Sequence, residues 1–506
     1  MQFRSIRPSH ADGMLYYQSA WNFGEKYWFD MIGKIHEHVQ ETMPAMAAKV
    51  ILARAVTLAT NRVGHGGTTL PGRVVRTIDR SVAGRLSRRL THGSAVVSAT
   101  NGKTTTCAMI ARILEKNGKK VARNREGANL AAGVATALLK DSSLMGRPRS
   151  QTGLFEVDEA VFPEVAALLK PEVVLLMNLF RDQLDRYGEL EHLAELWRTA
   201  VSSLGNVTVS VLNADDPLVA EMAALRPERS LCYGIEDAGA GGLVMQHASD
   251  SKYCPRCGNP FDYEVFFMGH LGKYHCSHCG NRRPSPMVYA ENVRLDGMRG
   301  SSFDLATPAG KAAVEIPLPG LYNVYNALGA AAAATAMGFS PQAIQKGLGG
   351  FSAAFGRVEQ IPIGGKKVCL LLVKNPAGFN EVVRTLLDEP GEKSLMIALN
   401  DKIADGRDIS WIWDVDLEML AGGVASVACS GSRAEEMAMR LKYAGIEPAL
   451  LDVRPGLRAA LEEGLRRIQM GETLYVLPTY TAMLALRQAI AQHFRPENEM
   501  GDLVWK

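Results

Sequence analysis

The stretch 96–105, Val-Val-Ser-Ala-Thr-Asn-Gly-Lys-Thr-Thr, sets a lysine and a run of hydroxyls directly after an apolar segment. A buried strand, a tight loop and a helix start in that order form a phosphate cradle, because backbone N–H groups and the helix N-terminus attract an anion. Thr100, Asn101, Gly102, Lys103, Thr104 and Thr105 would line it. Lys103 would neutralise the β- and γ-phosphates and the Thr104 hydroxyl would ligate Mg²⁺. Ala99 stands where the full pattern has glycine, and its methyl is tolerable only at negative φ. The competing reading is a plain strand–helix turn.

Two further groups could do chemistry. Glu156, Asp158 and Glu159 end an apolar run, and a carboxylate beside a phosphate loop holds Mg²⁺. Taken alone the trio is a solvated strand end; following such a loop, Glu156 becomes a metal candidate. Cys254, Cys257, Cys276 and Cys279 form C-x₂-C twice, with Gly258 and Gly280 turning each knuckle. Four thiolates so spaced suit a structural zinc, with iron–sulfur ligation and free thiols as alternatives. A closed four-sulfur site leaves no position for substrate. Cys107, Cys232, Cys369 and Cys429 lie in apolar or helical surroundings and read as small buried hydrophobes.

The elements that must position these groups alternate between strand and helix. From about 94 to 217, short apolar runs end in polar residues and are separated by helical segments, which predicts a parallel sheet covered on both faces. Ligands on such sheets sit at the carboxyl ends of the strands. After the loop, Met109, Ile110, Ile113 and Leu114 share a helical face that Gly118 stops. Residues 250–285 interrupt the pattern, and the alanine-rich run near 327–339 reads as a tightly packed helix. A glycine-rich hinge leads into a further α/β segment from about 356.

With 506 residues, 47% hydrophobic and 22% charged, the chain is an ordinary multi-domain globular protein. A net charge of +3 gives no argument for nucleic acid. No apolar run is long enough to span a bilayer and no secretion signal is evident, so a cytoplasmic setting is expected. Residues 47–64 have helical spacing broken by Lys49, Arg54 and Arg62; packing on the domain is the commoner reading, lying on a membrane the rarer. Residues 1–45 are aromatic-rich and unassigned.

The order of "TNGKTTT", "EGAN", "EVDE", "LNADDP", "GLYNVYNALGA" and "GRVE" resembles the Mur ligases and their folylpolyglutamate synthase relatives. The cysteine insert, "KNPAGFNEV" and "NDKIADGRDISWIWDVD" narrow the resemblance to the MurT family, the ligase-type subunits of lipid II isoglutaminyl synthases. It covers about residue 46 to the C-terminus. It implies an α/β fold: a Mur-ligase-like central ATPase domain over 46–355 with a zinc-ribbon insert, and a Rossmann-like C-terminal domain over 356–506. It places Thr100–Thr105 on ATP, Glu156 and Thr104 on Mg²⁺, Asn326 against the adenine, and Arg357 on the nucleotide at domain closure. Asp408 is implied to face a GatD-like glutamine amidotransferase subunit and to orient its Cys–His pair; Asp405 and Asp414 suit loop-turn roles. The acceptor is implied to be lipid II or a related precursor at the inner membrane face. Unlike amino-acid-adding Mur ligases, the chain has Gln183 and Tyr187 where those have histidine, and no lysine downstream for carbamylation. A ligase adding an amino acid and a non-catalytic zinc-containing scaffold are the rival readings.

Overall fold

The computed structural model describes residues 43–62, 69–124, 127–182, 190–247, 249–351 and 359–494. Arg357, Gln183, Tyr187, the N-terminal extension to residue 42 and most of the glycine-rich hinge lie outside them.

The first sheet has nine strands: β1 (Ser94–Ser98), β2 (Val121–Arg123), β3 (Thr152–Glu156), β4 (Val173–Leu176), β5 (Val209–Asn213), β6 (Ser230–Ile235), β9 (Val288–Leu295), β10 (Ser301–Thr307) and β11 (Gly310–Ile316). Their order is β11-β10-β9-β6-β5-β4-β1-β3-β2. From β2 to β9 all neighbours are parallel, and β9, β10 and β11 close the edge as an antiparallel meander. The central parallel strands β1, β3, β4, β5 and β6 are almost wholly buried because both faces of that part of the sheet are covered. Ala95 and Val97 pack with the Leu321–Ala336 helix, whereas Val96 packs with the opposite layer, which includes Val134, Phe162 and Trp197. The Leu321–Ala336 helix is buried almost entirely, and its small side chains let it lie close on the sheet.

The cysteine insert is a separate two-stranded hairpin, β7 (Asp262–Met268) with β8 (Leu271–His275). The second large sheet contains β12 (Glu359–Ile363), β13 (Lys366–Leu370), β14 (Lys393–Ala398), β15 (Val424–Ser430), β16 (Leu451–Val453) and β17 (Thr473–Pro478), in the order β12-β13-β17-β14-β15-β16. β12 and β13 are antiparallel and the rest parallel.

This topology fixes where a ligand can sit. The chain leaves β1 for β2 on one side and later crosses to β4 on the other, so the carboxyl end of β1 is a switch point with an open crevice. In the second sheet the connection from β13 to β14 passes the late strand β17, which lies between them. The carboxyl ends of β1 and β13 meet: Asn375 donates to the Asn101 Oδ1 at 3.0 Å, and Asn101 donates back at 3.3 Å.

Candidate active site

The loop after β1 is held from three sides. Ala99 is buried and has no positive φ; that conformation falls on Gly102, at φ +88°, which opens the Lys103–Lys116 helix. A Cβ on Gly102 would lie 2.0 Å from Asn326 Oδ1, so glycine is required there both by conformation and by space. From the end of β4, Asn178 accepts the Asn101 N–H at 2.8 Å and donates to the Asn101 carbonyl at 3.1 Å, while its own carbonyl accepts the Thr100 N–H at 3.0 Å. The Thr100 hydroxyl accepts from the Phe180 N–H at 3.0 Å.

Lys103 and Thr104, adjacent in sequence, point to different carboxylates. The Thr104 hydroxyl donates to Glu156 at 3.0 Å, which brings together the two groups expected to share Mg²⁺. Asn124 fixes Glu156 from below, accepting its N–H at 3.0 Å and donating to its carbonyl at 2.8 Å. The buried Lys103 ammonium instead contacts the Ala99 carbonyl and Glu159, the latter at 2.9 Å. Burial by itself would lower the Lys103 pKa, but the negative charges of Glu159 and Glu156 outweigh it, and the net shift is upward. The lysine therefore remains a cation. Glu159 is the partner that motif reading missed; its signal was three residues' distance from Glu156 at the same strand end.

Thr105 is buried in the first helical turn. Asn326, expected at the adenine, is buried beneath the loop: its amide donates to Asn323 at 3.0 Å and its oxygen accepts from the Thr106 hydroxyl at 3.4 Å. In this arrangement it backs Gly102.

The far wall comes from the second sheet. Asn375 caps the Pro376–Leu387 helix, accepting the Gly378 N–H at 2.9 Å, and the preceding Lys374 donates to the Thr100 carbonyl at 3.0 Å and pairs with Asp182. An asparagine before proline at a helix start is a cap signature in the sequence, but its reach to Asn101 is not. Asp408, Asp405, Ser410 and Lys374 line one cleft. Asp408 is exposed, and hydrogen bonds from the Ser410 backbone and side chain hold its carboxyl below the usual range. Asp405 is buried and accepts from the Thr481 N–H at 2.8 Å, tying the loop to the last helix; Asp414 lies 3.5 Å from Arg181.

The four insert cysteines converge. Cys254 and Cys279 sulfurs are 3.6 Å apart, Cys257 and Cys276 3.5 Å, and all four lie within 4.8 Å of one another. A tetrahedral Zn–S length of about 2.3 Å requires S···S of roughly 3.8 Å, so the cluster fits a four-thiolate metal site. Each knuckle repeats the same pattern: Cys254 N–H to Asn259 carbonyl and Cys276 N–H to Asn281 carbonyl, both 2.7 Å, with Gly258 and Gly280 at positive φ. The Asn259 N–H first, then its neighbours, bring the Cys257 thiol down to about 6. By contrast, burial pushes the Cys232, Cys369 and Cys429 thiols up to about 12, which leaves them inert as nucleophiles.

Known proteins share both halves. Residues 97–334 match the Mur ligase middle domain and residues 372–483 the MurT ligase C-terminal family. The lipid II isoglutaminyl synthase (glutamine-hydrolyzing) subunit MurT of Staphylococcus aureus (strain N315) is 31% identical over 448 residues, covering 88% of this chain and 97% of that protein. Among solved structures, a pseudomurein peptide ligase type C from Methanothermus fervidus has a TM-score of 0.60 at 23% identity, covering 79% of this chain and 78% of its own. MurF ligase from Thermotoga maritima, solved in complex with ADP, has a TM-score of 0.57 at 13% identity, with 81% and 82% covered. A phosphate-type loop at the switch point of a Mur ligase fold, joined to a MurT C-terminal region, carries one conclusion: the chain belongs to the MurT family of ATP-dependent Mur-type ligases.

Proposed function

We propose that this chain uses ATP to amidate the α-carboxylate of D-glutamate in the stem peptide of lipid II, giving D-isoglutamine through an acyl phosphate. The observation that carries this reading is the loop after β1, where Lys103, Thr104, Glu156 and Glu159 gather a cation and two carboxylates at a helix N-terminus. A free carboxylate resists ammonia because its charge repels nucleophiles and oxide is a poor leaving group; phosphorylation removes both obstacles. The protein contributes position and charge neutralisation. Thr104 and Glu156 would hold Mg²⁺, which offsets phosphate charge. Lys103, now on Glu159, would turn to the phosphates, and Gly102 lets the backbone approach them. Arg357 would reach the nucleotide from the hinge. The four cysteines would hold zinc in a structural role.

Ammonia is the nucleophile, and the buried cysteines offer no thiolate with which the chain could release it from glutamine. A GatD-like glutaminase subunit would supply it, with exposed Asp408 orienting the partner's histidine. The cleft from Asp408 to Lys374, which touches the Thr100 carbonyl, supports delivery toward the loop. The reaction would take place at the cytoplasmic membrane face, where a lipid-linked acceptor resides. The test is amidation of lipid II by the two-subunit complex, followed by mass spectrometry of the product. Asp408→Ala should abolish glutamine-driven turnover and spare ammonium-driven turnover; equal loss of both would place Asp408 in the ligase reaction instead. A product carrying an added amino acid rather than an amide would overturn the reading.

A further inference from the structure

Charge is unevenly distributed along this chain. Residues 46–92 contain nine Lys or Arg against one acid, Asp79, a local net charge of +8 in a protein whose total is +3. The Met43–Arg62 helix within this segment contains no acidic residue at all. Met46, Val50 and Ala53 form its buried face. The opposite face is not the charged one expected of a surface helix. It presents Ala48, Ile51, Ala55 and Leu58, with Ile51 55% and Leu58 65% exposed two turns apart on one row.

Other exposed apolar side chains are tied to the same end of the molecule. Lys49 binds Asp79 at 2.7 Å, which sets Ile78 (66% exposed) and Arg80 beside the helix. Arg54 donates to the Ser142 carbonyl at 2.9 Å and Arg89 to the Gly146 carbonyl at 2.9 Å, which holds Leu144 and Met145, each 51% exposed, against it. Asp79 pairs with Lys49 and Arg85 and Glu164 with Arg76, while Asp141 is turned to the Arg149 and Ser150 N–H groups and the Ser150 hydroxyl. Arg73, Arg80, Arg88 and Arg147 are exposed, and no salt bridge of theirs occurs among the described residues.

We propose that the outer face of the Met43–Arg62 helix, with the Ile78–Arg80 corner and the 144–147 loop, is a bilayer-contact surface that docks on anionic headgroups. Aliphatic side chains amid unpaired cations match an interface whose outer layer is negative and whose next layer is hydrocarbon. A nucleic-acid surface would not need the exposed aliphatic row. No described helix is long and apolar enough to cross a membrane, so the contact is peripheral. The inference deepens the lipid-linked acceptor proposed above but stands on the surface itself.

The test is vesicle flotation of the full chain with its partner, using phosphatidylglycerol-rich and pure phosphatidylcholine vesicles. The parent should float with the anionic vesicles only. Ile51→Ser/Leu58→Ser should weaken this binding by about tenfold or more with little change in melting temperature, because more than half of each side chain is already in water. Arg73→Ala/Arg80→Ala/Arg88→Ala should weaken it on the order of a hundredfold at low salt. Lys103→Ala/Glu159→Gln should float like the parent while losing turnover, so a failed reaction and a failed docking surface remain distinguishable. The proposal is overturned if the parent binds neutral vesicles equally or none, if it prefers an oligonucleotide duplex, or if the arginine variant floats undiminished.

Discussion

Asn375 makes three hydrogen bonds that belong to two different jobs, and substitution can separate them. One caps the Pro376–Leu387 helix through the Gly378 N–H at 2.9 Å; the other two form the reciprocal amide pair with Asn101 at 3.0 and 3.3 Å. The residue is 1% exposed. Loss of the cap costs about 1 kcal/mol, and each amide bond contributes about 1 kcal/mol net. Asn375→Ala should therefore lose about 3 kcal/mol in all, of which about 2 kcal/mol acts across the cleft. Asn375→Asp keeps the cap and one bond from Asn101 but replaces the donated bond with opposed oxygens, costing about 1–2 kcal/mol across the cleft alone. If the seam holds the loop in its nucleotide-ready form, the KM for MgATP should rise about 5- to 30-fold in Asn375→Asp. Its melting temperature should stay near the parent's, whereas Asn375→Ala should show both the kinetic and the thermal loss. Steady-state kinetics with thermal denaturation on the same preparations decide it. Parental KM in Asn375→Asp, or equal thermal losses in the two variants, would refute the division of labour.

Three other outcomes are expected. Lys103→Ala should remove nearly all ATP-driven turnover and also destabilise the chain by about 3–5 kcal/mol, because Glu159 is left buried without its cation; Lys103→Ala/Glu159→Gln should restore stability but not turnover, as read by urea denaturation and phosphate release. Glu381 is buried beside Gln246, and burial pushes its carboxyl up to about 7 against the partial offset of Arg384. The native state then binds the extra proton between about pH 4.5 and 7, so this group's contribution falls as pH rises through that window, by about 3 kcal/mol at most. Glu381→Gln should accordingly stabilise the protein above pH 7 and change little near pH 4.5, measured by denaturation across pH. Cys254→Ser or strong chelation should release the insert's metal and selectively raise amide exchange in β7 and β8; unchanged exchange and no bound metal in the purified parent would refute a metal role.

The sequence by itself determined the strands and much of the chemistry. Runs such as Ser94–Ser98 and Val173–Leu176 have small or apolar residues and are buried at every position because both faces of a parallel sheet are covered, and that pattern is local. The paired C-x₂-C knuckles are also local, since each glycine turn brings two sulfurs together before the rest of the chain is placed. The short spacing from Gly102 to Thr104 likewise carries the cradle's chemistry.

Only the tertiary structure decided which partner each group takes. Lys103 and Thr104 leave one helical turn in different directions, so they find Glu159 and Glu156 respectively; adjacency in sequence says nothing of that split. Asn326 faces the underside of Gly102 because the Leu321–Ala336 helix packs flush against the sheet, a consequence of its small side chains across the whole fold. The meander of β9 to β11 carries charged residues on its exposed positions, and its attachment beside β6 at the edge of the sheet was decided by the fold. Asn101 and Asn375 meet only because two sheets present their carboxyl ends to one cleft. Contacts between residues far apart along a chain depend on how separate layers close on one another, and that information is distributed over every packed residue rather than written beside the groups that finally touch.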